Sequence, residues 1–320
     1  MTPPPVAPAL APAEEARLAA VRKRFRLGPD GSEAPLSGDV GARRYFRRRT
    51  PGQTPVLVVL YPEPASAAQA NWAALGAALA AAGLRVPALL DDAADLGAAL
   101  VEDLGDRDLA VEIEEAAAGD RPGLLDQAEE LLHAVRRLDP AAARRNPAFD
   151  AEFFFRELAQ TRLWALEKGG AAPLTGEDSR TWDHLTGGLA QAAADPAVGG
   201  DAVPTHRDFH ANNLMRAPDG RLALIDFQDL RLGPPDYDPV SLRFERAGER
   251  VAQGPAAYSE SVLLQRAWKV LGTFEKMLAL RRPIYRPHRD AALRVLRART
   301  TRGGPWDALL RFLPPSSGGV

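Results

Sequence analysis

The chain has 320 residues, of which 46% are hydrophobic, and a formal net charge of −2, so it is long enough for one large domain or two ordinary ones. It contains no cysteine, which excludes disulfides, thiol catalysis and thiolate metal sites. Acidic and basic residues are mixed, without the basic stripe expected of a nucleic-acid groove. The N-terminus lacks the pattern of a secretory signal, and the longest apolar stretch, residues 72–84, is too short to span a bilayer. Together these features predict a cytoplasmic protein that binds neither nucleic acid nor a membrane.

The first hundred residues predict a small lobe of mixed helix and strand. A proline- and alanine-rich tail, residues 1–12, is predicted to be disordered. After it, apolar spacing and turn residues predict a helix, a pair of strands, a second helix and a second pair of strands. These elements cover, in order, residues 12–27, 43–49, 54–61, 65–83, 84–92 and 97–106.

From about residue 106 the apolar residues recur at helical spacing, and strand patterns become rare. Five helical patterns cover residues 121–139, 150–168, 179–195, 259–282 and 288–302. A short strand pair is predicted for residues 204–205 and 221–227. The sequence therefore predicts an α+β protein of two lobes, with an N-lobe at residues 13–105 and a mostly helical C-lobe at residues 106–315.

Polar residues are concentrated in two neighbouring segments, HRDFHANNLM at residues 206–215 and LALIDFQD at residues 222–229. The tight turn PDGRL lies between them, so a hairpin would bring Asp208, Asn213 and Asp226 to one end. Phosphoryl transfer from a nucleotide needs such a set: one carboxylate accepts the proton of the attacking hydroxyl, while an amide oxygen and a second carboxylate hold magnesium. Ordinary turn residues would explain each position singly, but not the three together in this order.

The two segments resemble the aminoglycoside-phosphotransferase branch of the protein-kinase-like fold, in which an H-x-D-x-x-x-x-N loop precedes an I-D-F strand. The resemblance implies a two-lobed fold and the use of ATP and Mg²⁺. It assigns Asp208 as the catalytic base, and Asn213 and Asp226 as the metal ligands. It also implies that His206 braces the loop and that Asp238 steadies the helical lobe.

A narrower resemblance covers residues 15–315, nearly the whole chain. The stretches that carry it are SGDVGARRYFR, ALVEDLGD, HRDFHANNLM, IDFQDLRLGPPDYDPVSL and LQRAWKVLGTFEKML. They are similar, in this order, to the cell-wall-recycling kinases that phosphorylate the anomeric hydroxyl of N-acetylmuramate and N-acetylglucosamine. The resemblance implies a role in peptidoglycan recycling, with a sugar-1-phosphate nucleotidyltransferase as the pathway partner. Two alternatives stay open: a kinase of the same fold acting on an amino alcohol or aminoglycoside, and a nucleotide-binding pseudokinase.

The chain departs from the usual kinase pattern in its N-lobe. Kinases carry a phosphate-binding lysine on the third strand, paired with a helix glutamate. Here no lysine or arginine occurs from Thr50 to Leu84, the helix that ends at Gly83 has no glutamate, and the loop before residue 43 lacks G-x-G-x-x-G. Arg43, Arg44 and Arg47 lie just after that loop, and the planar fork of an arginine suits phosphate. The residues predicted to bind nucleotide are Arg44 and Ser37 at the phosphates, and Glu102 and Leu104 at the adenine.

The substrate is predicted to contact His210, Glu245 and Arg243. Glu245 stands where the sugar kinases tend to have aspartate, and a carboxylate can hydrogen-bond sugar hydroxyls. The histidines at 206 and 210 have the spacing of zinc ligands on a helix, but the stretch lacks the glutamate of H-E-x-x-H. Three tryptophans at helical positions are predicted core residues, with stacking on a sugar as the alternative: Trp72, Trp164 and Trp268.

Overall fold

The computed structural model describes residues 10–36, 43–64, 67–169, 174–245, 258–299 and 304–314. The chain divides into two units. The first comprises Met1–Arg107 and Met215–Asp229, and the second comprises Asp108–Leu214 and Leu230–Val320. Most of the predicted tail, and Ser37 with the rest of the predicted phosphate loop, lie outside the described residues. Within the described ranges, none of the helices combines the length and the apolar character needed to cross a membrane.

A five-stranded antiparallel sheet is the centre of the first unit, with its strands in the order β1-β2-β3-β5-β4. The strands are β1 (Ser32–Pro35), β2 (Arg44–Arg49), β3 (Val56–Leu60), β4 (Leu89–Ala93) and β5 (Ala98–Glu102). The apolar run of β3 lies in the middle of the sheet and packs against the first helix, α1 (Pro12–Arg24), through Val21 and Val58. Both predicted strand pairs are confirmed as β2–β3 and β4–β5.

The segment Met215–Asp229 is bonded into the first unit. It contains the hairpin of β7 (Leu214–Arg216) and β8 (Leu222–Leu224), which the PDGRL turn predicts correctly. The backbone N–H of Leu224 donates to the carbonyl oxygen of Arg85 at 2.8 Å. The second helix, α2 (Ala67–Ala81), packs on the short 3-10 turn that follows β8, where the rings of Trp72 and Phe227 stack with centroids 5.3 Å apart. Trp72 is therefore a core residue, as predicted.

The second unit is mostly helical. Its helices are α3 (Leu109–Glu115), α4 (Arg121–Arg136), α5 (Pro140–Ala143), α6 (Ala151–Thr161), α7 (Gly176–Ala194), α8 (Pro196–Gly199), α9 (Tyr237–Phe244), α10 (Glu260–Ala279) and α11 (Arg286–Arg299). A π-helical turn, Arg162–Glu167, continues α6. Several of these helices begin at an aspartate whose carboxylate accepts a bond from a first-turn N–H, as Asp150 does from Phe153.

Helix α10 forms the core of this unit. Trp268 is fully buried and meets Trp182 of α7 edge to face, at 5.4 Å between ring centroids. Gly272 allows the backbone of α6 to approach, because a Cβ at this position would lie 2.5 Å from the Cα of Thr161. Trp268 is thus a core residue, as predicted, whereas Trp164 is half-buried and lies under the ammonium of Lys168, 3.9 Å from its ring centroid.

The predicted pairing of residues 204–205 with 221–227 is wrong. The strand β6 (Val203–Thr205) pairs instead with β9 (Arg231–Gly233), with Val203 opposite Gly233. The reason is local: the PDGRL turn folds β8 back on β7, so β8 is not available to β6. Gly233 then fits where a larger residue would not, because a Cβ there would meet the ring of Phe149 at 2.3 Å.

Candidate active site

The loop between β6 and β7 carries Asp208 and is held by Asp238 at the start of α9. The Asp238 carboxylate accepts the backbone N–H of His206 at 2.6 Å and that of Arg207 at 3.0 Å. Arg207 has a positive φ of 83°, a conformation uncommon for a residue with a side chain, so the loop turns sharply just before Asp208. Burial raises the pKa of Asp238, although the imidazole of His206 and the two N–H bonds oppose that rise.

Two cations from α10 converge on Asp208. Its Oδ1 accepts from Lys269 Nζ at 3.0 Å and from Arg266 Nη2 at 3.2 Å, while its side chain stays 28% exposed. Lys269 and Arg266 are three residues apart, so they share one face of the helix. Burial acts to raise the pKa of Asp208, but neighbouring basic side chains outweigh it and hold that pKa well below its usual value: Lys269, Arg266, Arg207 and His210. Asp208 is therefore ionised at neutral pH.

Arg266 is a buried hub, with a side chain only 1% exposed. Besides Asp208, its guanidinium donates to the carboxylate of Glu245 and to Ser241 Oγ, the latter at 2.9 Å. It also lies over the ring of Tyr237, 4.6 Å from the centroid, an arrangement that stabilises a cation. Burial lowers the pKa of Arg266, but Glu245 and the other partners raise it well above its usual value. An arginine fixed in this way holds Asp208 and Glu245 together beside the N-terminal half of α10.

Asn213 closes the loop in a 3-10 turn, Ala211–Asn213. Its Nδ2 donates to the backbone oxygen of Asp208 at 2.8 Å, which leaves the side-chain oxygen as the atom to offer a metal. The neighbouring Asn212 Nδ2 donates to Asp108 Oδ2 at 2.9 Å, so the turn is tied to the residue that caps α3.

Asp226 lies in the first unit, two residues after β8, with φ 62°. Its Oδ1 accepts a hydrogen bond from Gln228 Nε2 at 2.9 Å and forms an ion pair with Arg43, the residue just before β2. The Asp226 side chain is 36% exposed and that of Arg43 is 17% exposed. Burial lowers the pKa of Arg43, but the neighbouring Tyr45 and Asp226 outweigh it, and the net pKa is raised.

Each of the two predicted metal ligands, Asn213 and Asp226, has an oxygen donor of the kind that magnesium prefers. The described ranges contain no cluster of three or more histidine, cysteine or carboxylate side chains that could enclose a metal by themselves. Mg²⁺ does not require such a cluster, because it is commonly bound by one or two carboxylates together with substrate phosphates and water. Asp226 supplies a carboxylate and Asn213 an amide oxygen, both of which are hard ligands of the kind that Mg²⁺ prefers.

The other predicted nucleotide residues in the first unit have protein partners. Arg44 pairs with Glu14 at 3.4 Å. Glu102 accepts two bonds from Arg85, one of them at 2.8 Å, and these bonds lower the pKa of Glu102 against the opposing effect of burial. Leu104 is buried, in a small cluster with two alanines of the β7–β8 hairpin segment.

The predicted substrate residues all lie in the second unit, in different surroundings. His210 is buried, with 5% of the residue exposed, and Glu245 is equally buried against Arg266. Arg243, on α9, pairs with Glu129 of α4. Residues 246–257, which follow Glu245, lie outside the described residues.

Sequence reasoning did not find Lys269, although it recorded the stretch that contains it. The signal was present, since the chain has only four lysines and Lys269 stands one turn from Arg266, with mostly apolar residues on either side of the two in α10. Two cations on one buried face predict a buried anion nearby, but the pattern does not say which anion. The pairing with Asp208 joins residues 61 apart and needs the folded chain.

Two bacterial proteins are similar to the chain in sequence. The chain is 30% identical over 214 residues to the N-acetylmuramate/N-acetylglucosamine kinase of Pseudomonas aeruginosa, covering 67% of this chain and 60% of that protein. It is also 30% identical over 163 residues to the protein of the same name from Neisseria meningitidis serogroup B, covering 50% of this chain and 46% of that protein. The matched region thus spans less than two thirds of either relative.

A solved structure shows the fold. A thermostable mutant of the aminoglycoside phosphotransferase APH(4)-Ia, in a ternary complex with ADP and hygromycin B, matches with a TM-score of 0.59 at 14% identity. The match covers 89% of this chain and 99% of that chain, and it gives the chain the α+β protein-kinase-like fold of the aminoglycoside phosphotransferases. The sequence model of the phosphotransferase enzyme family covers residues 32–269. The chain therefore belongs to the phosphotransferase enzyme family.

Proposed function

We propose that the protein is an ATP-dependent kinase that phosphorylates the anomeric C1 hydroxyl of N-acetylmuramate or N-acetylglucosamine. The observation that carries the proposal is the ionised Asp208, which Lys269 and Arg266 hold at 3.0 and 3.2 Å in a chain of the phosphotransferase family. The names of the two bacterial relatives support an amino sugar as the acceptor. A cytoplasmic enzyme of this kind would supply a sugar-1-phosphate nucleotidyltransferase.

Asp208 acts as the base in this proposal. The oxygen of the C1 hydroxyl forms a bond to the γ-phosphorus, the bond from that phosphorus to the leaving oxygen of ADP breaks, and the proton of the hydroxyl passes to the Asp208 carboxylate. A carboxylate with a depressed pKa is a weak base. In the loose transition state of phosphoryl transfer, however, the proton has to leave the attacking hydroxyl only late in the reaction. The hydroxyl at C1 of a free sugar is also more acidic than an ordinary alcohol. Orientation of that hydroxyl is therefore the main task of Asp208.

The remaining roles follow the family pattern. Asn213 and Asp226 would hold Mg²⁺, which neutralises the phosphate charge when the nucleotide is bound. His206 and Asp238 would keep the loop in shape, consistent with the two N–H bonds that Asp238 accepts. His210, Glu245 and Arg243 stay the predicted sugar contacts, although Glu245 and Arg243 would have to act from within their present ion pairs.

The charge near Asp208 bears on the choice of acceptor. Lys269 and Arg266 both contact this carboxylate, and with Glu245 counted the two cations balance two carboxylates, so the cluster has no surplus negative charge. A polycationic aminoglycoside is bound best by surplus negative charge, whereas the carboxylate of N-acetylmuramate is compatible with nearby cations. The electrostatics therefore favour the amino sugar over the aminoglycoside.

The test is release of ADP from Mg·ATP with a panel of acceptors: N-acetylmuramate, N-acetylglucosamine, N-acetylgalactosamine, glucose and kanamycin. We expect turnover with the first two and a 1-phosphate product by phosphorus NMR. Asp208→Asn should lower kcat by about 10²- to 10⁴-fold, the usual contribution of general base catalysis. Asp126→Asn, which changes an exposed aspartate of α4, is the matched control. Near wild-type turnover by Asp208→Asn would refute the role of this residue, and nucleotide binding without turnover on any acceptor would favour the pseudokinase.

A further inference from the structure

The first unit has no lysine on β3, so another group must meet the phosphates of a nucleotide bound there. Three arginines near β2 are candidates, and their partners distinguish them. Arg47 is 5% exposed and is held by Asp103 Oδ1 at 2.8 Å and by the carbonyl oxygen of Gly105 at 3.0 Å. Arg44 pairs with Glu14 of α1 at 3.4 Å. Arg43 is paired with a carboxylate of the candidate active site, Asp226.

The strand register places Arg43 at the end of β3. In the antiparallel pair of β2 and β3, Arg44 lies opposite Leu60, so Arg43 comes next to Tyr61, the residue after β3. The charge of Arg43 acts on the hydroxyls of both Tyr45 and Tyr61, and each of these has its pKa raised, mainly by burial. Arg43, the residue before β2, thus brings a cation to the end of β3, a strand that has no lysine or arginine of its own.

The pair of Arg43 and Asp226 can also exchange partners. Asp226 is the proposed metal ligand and is the more exposed member, at 36% against 17% for Arg43. When its carboxylate turns to a metal, the guanidinium loses its anion in a partly buried place. A buried cation without an anion is costly, and phosphate is the group that a nucleotide brings.

We propose that Arg43 is the cation of the first unit that binds the nucleotide phosphates, exchanging its bond to Asp226 for bonds to phosphate oxygens. This role takes the place that the sequence pattern favoured for Arg44. It rests on the proposed kinase function only in requiring that a nucleotide binds, and it does not depend on which acceptor is phosphorylated.

The experiment compares the affinities of ADP and adenosine by calorimetry, with magnesium and again with EDTA. The ratio of the two affinities measures the phosphate contacts alone, because adenosine keeps the base and ribose. Arg43→Gln should lower this ratio by about 10- to 100-fold, the effect of losing a charge-assisted hydrogen bond. The loss should be larger with magnesium than in EDTA, because a metal on Asp226 would leave the Arg43 guanidinium to the phosphates, whereas the pair with Asp226 stays intact without it. Arg43→Lys, which keeps the charge, should recover most of it.

Arg49→Gln is the matched control, because it removes an exposed arginine at the far end of β2. An unchanged ratio in Arg43→Gln would overturn the inference, as would a loss seen with Arg44→Gln and not with Arg43→Gln. If Arg43→Gln does not fold, the ratio is read from Arg43→Met, which keeps the aliphatic part of the side chain and removes the charge, and an unchanged ratio there would likewise overturn the inference. A wild-type protein that binds no nucleotide overturns the inference and the kinase function together, whereas binding with an unchanged ratio overturns the inference alone.

Discussion

Replacing Lys269 with methionine tests the charge arrangement around Asp208. The change roughly keeps the length of the side chain and removes the ammonium, which lies 3.0 Å from Asp208 Oδ1. The Lys269 side chain is only 15% exposed. A hydrogen bond between two charged groups in such a place contributes about 1.5–3 kcal/mol. Arg266 still contacts Asp208 at 3.2 Å in the variant, so the carboxylate keeps one cation and the lower half of that range applies.

We therefore expect Lys269→Met to lower kcat by about tenfold at pH 8, since 1.4 kcal/mol corresponds to a factor of ten. The pH profile should change as well. Lys269 is the strongest of the groups that hold the pKa of Asp208 below its usual value, so its removal raises that pKa. The acid limb of kcat/KM then moves to higher pH, because the base is protonated earlier as the pH falls.

The assay is the rate of ADP release with N-acetylglucosamine between pH 4 and 9, with unfolding temperatures measured in parallel. Lys276→Met, which changes a lysine in the last turn of α10, is the matched control. Lys269→Arg should restore the position of the acid limb. A Lys269→Met variant with the wild-type profile and wild-type kcat would show that the ammonium does not act on Asp208, and the electrostatic reasoning would fall.

Three further expectations concern stability, each measured by urea unfolding. Asp238→Ala should lower the free energy of unfolding by about 2–4 kcal/mol, because two buried N–H groups of the loop lose their acceptor; a loss below about 1 kcal/mol would contradict this. The depressed pKa of Asp208 stabilises the fold above a pH of about 4, the pKa of an aspartate in an unfolded chain. This stabilisation is lost as the pH falls through the folded pKa, so Asp208→Asn should show a shallower decline in the free energy of unfolding below about pH 4. Gly272→Ala should cost about 1–3 kcal/mol, since the added Cβ meets the backbone of Thr161 at 2.5 Å. Gly187→Ala in α7, where a Cβ meets nothing within 4 Å, should instead add about 0.5–1 kcal/mol.

The elements that the sequence predicts well are those with a local signature. The helices α1 and α2, the paired strands and the PDGRL hairpin all follow from periodicity or turn chemistry within a few residues. The strand β1 was not predicted, because its four residues SEAP have neither apolar alternation nor burial. The pairing of β6 with β9 was predicted wrongly, since three-residue strands separated by a hairpin carry no local sign of their partner.

The same distinction applies to the candidate site. Spacing within one segment was sufficient to propose Asp208, Asn213 and Asp226, because those residues share a single loop and hairpin. It was not sufficient to find the partners of these residues, which come from distant segments: Lys269 is 61 residues from Asp208, and Arg43 is 183 residues from Asp226. Because alternate residues of a strand share a face, alternation places Arg44 on the opposite face from Arg43 and Arg47. It does not show which of the two faces meets a carboxylate.

The two carboxylates have in common that each is compensated inside its own unit. Asp208 is balanced by Lys269 and Arg266, and Asp226 by Arg43. In the proposed function, a nucleotide bound to the first unit adds several negative charges, and Arg43, which now compensates Asp226, is positioned to respond. The proposed role of Arg43 would account for the absence of a lysine from β3, because Arg43 lies next to the residue that follows this strand.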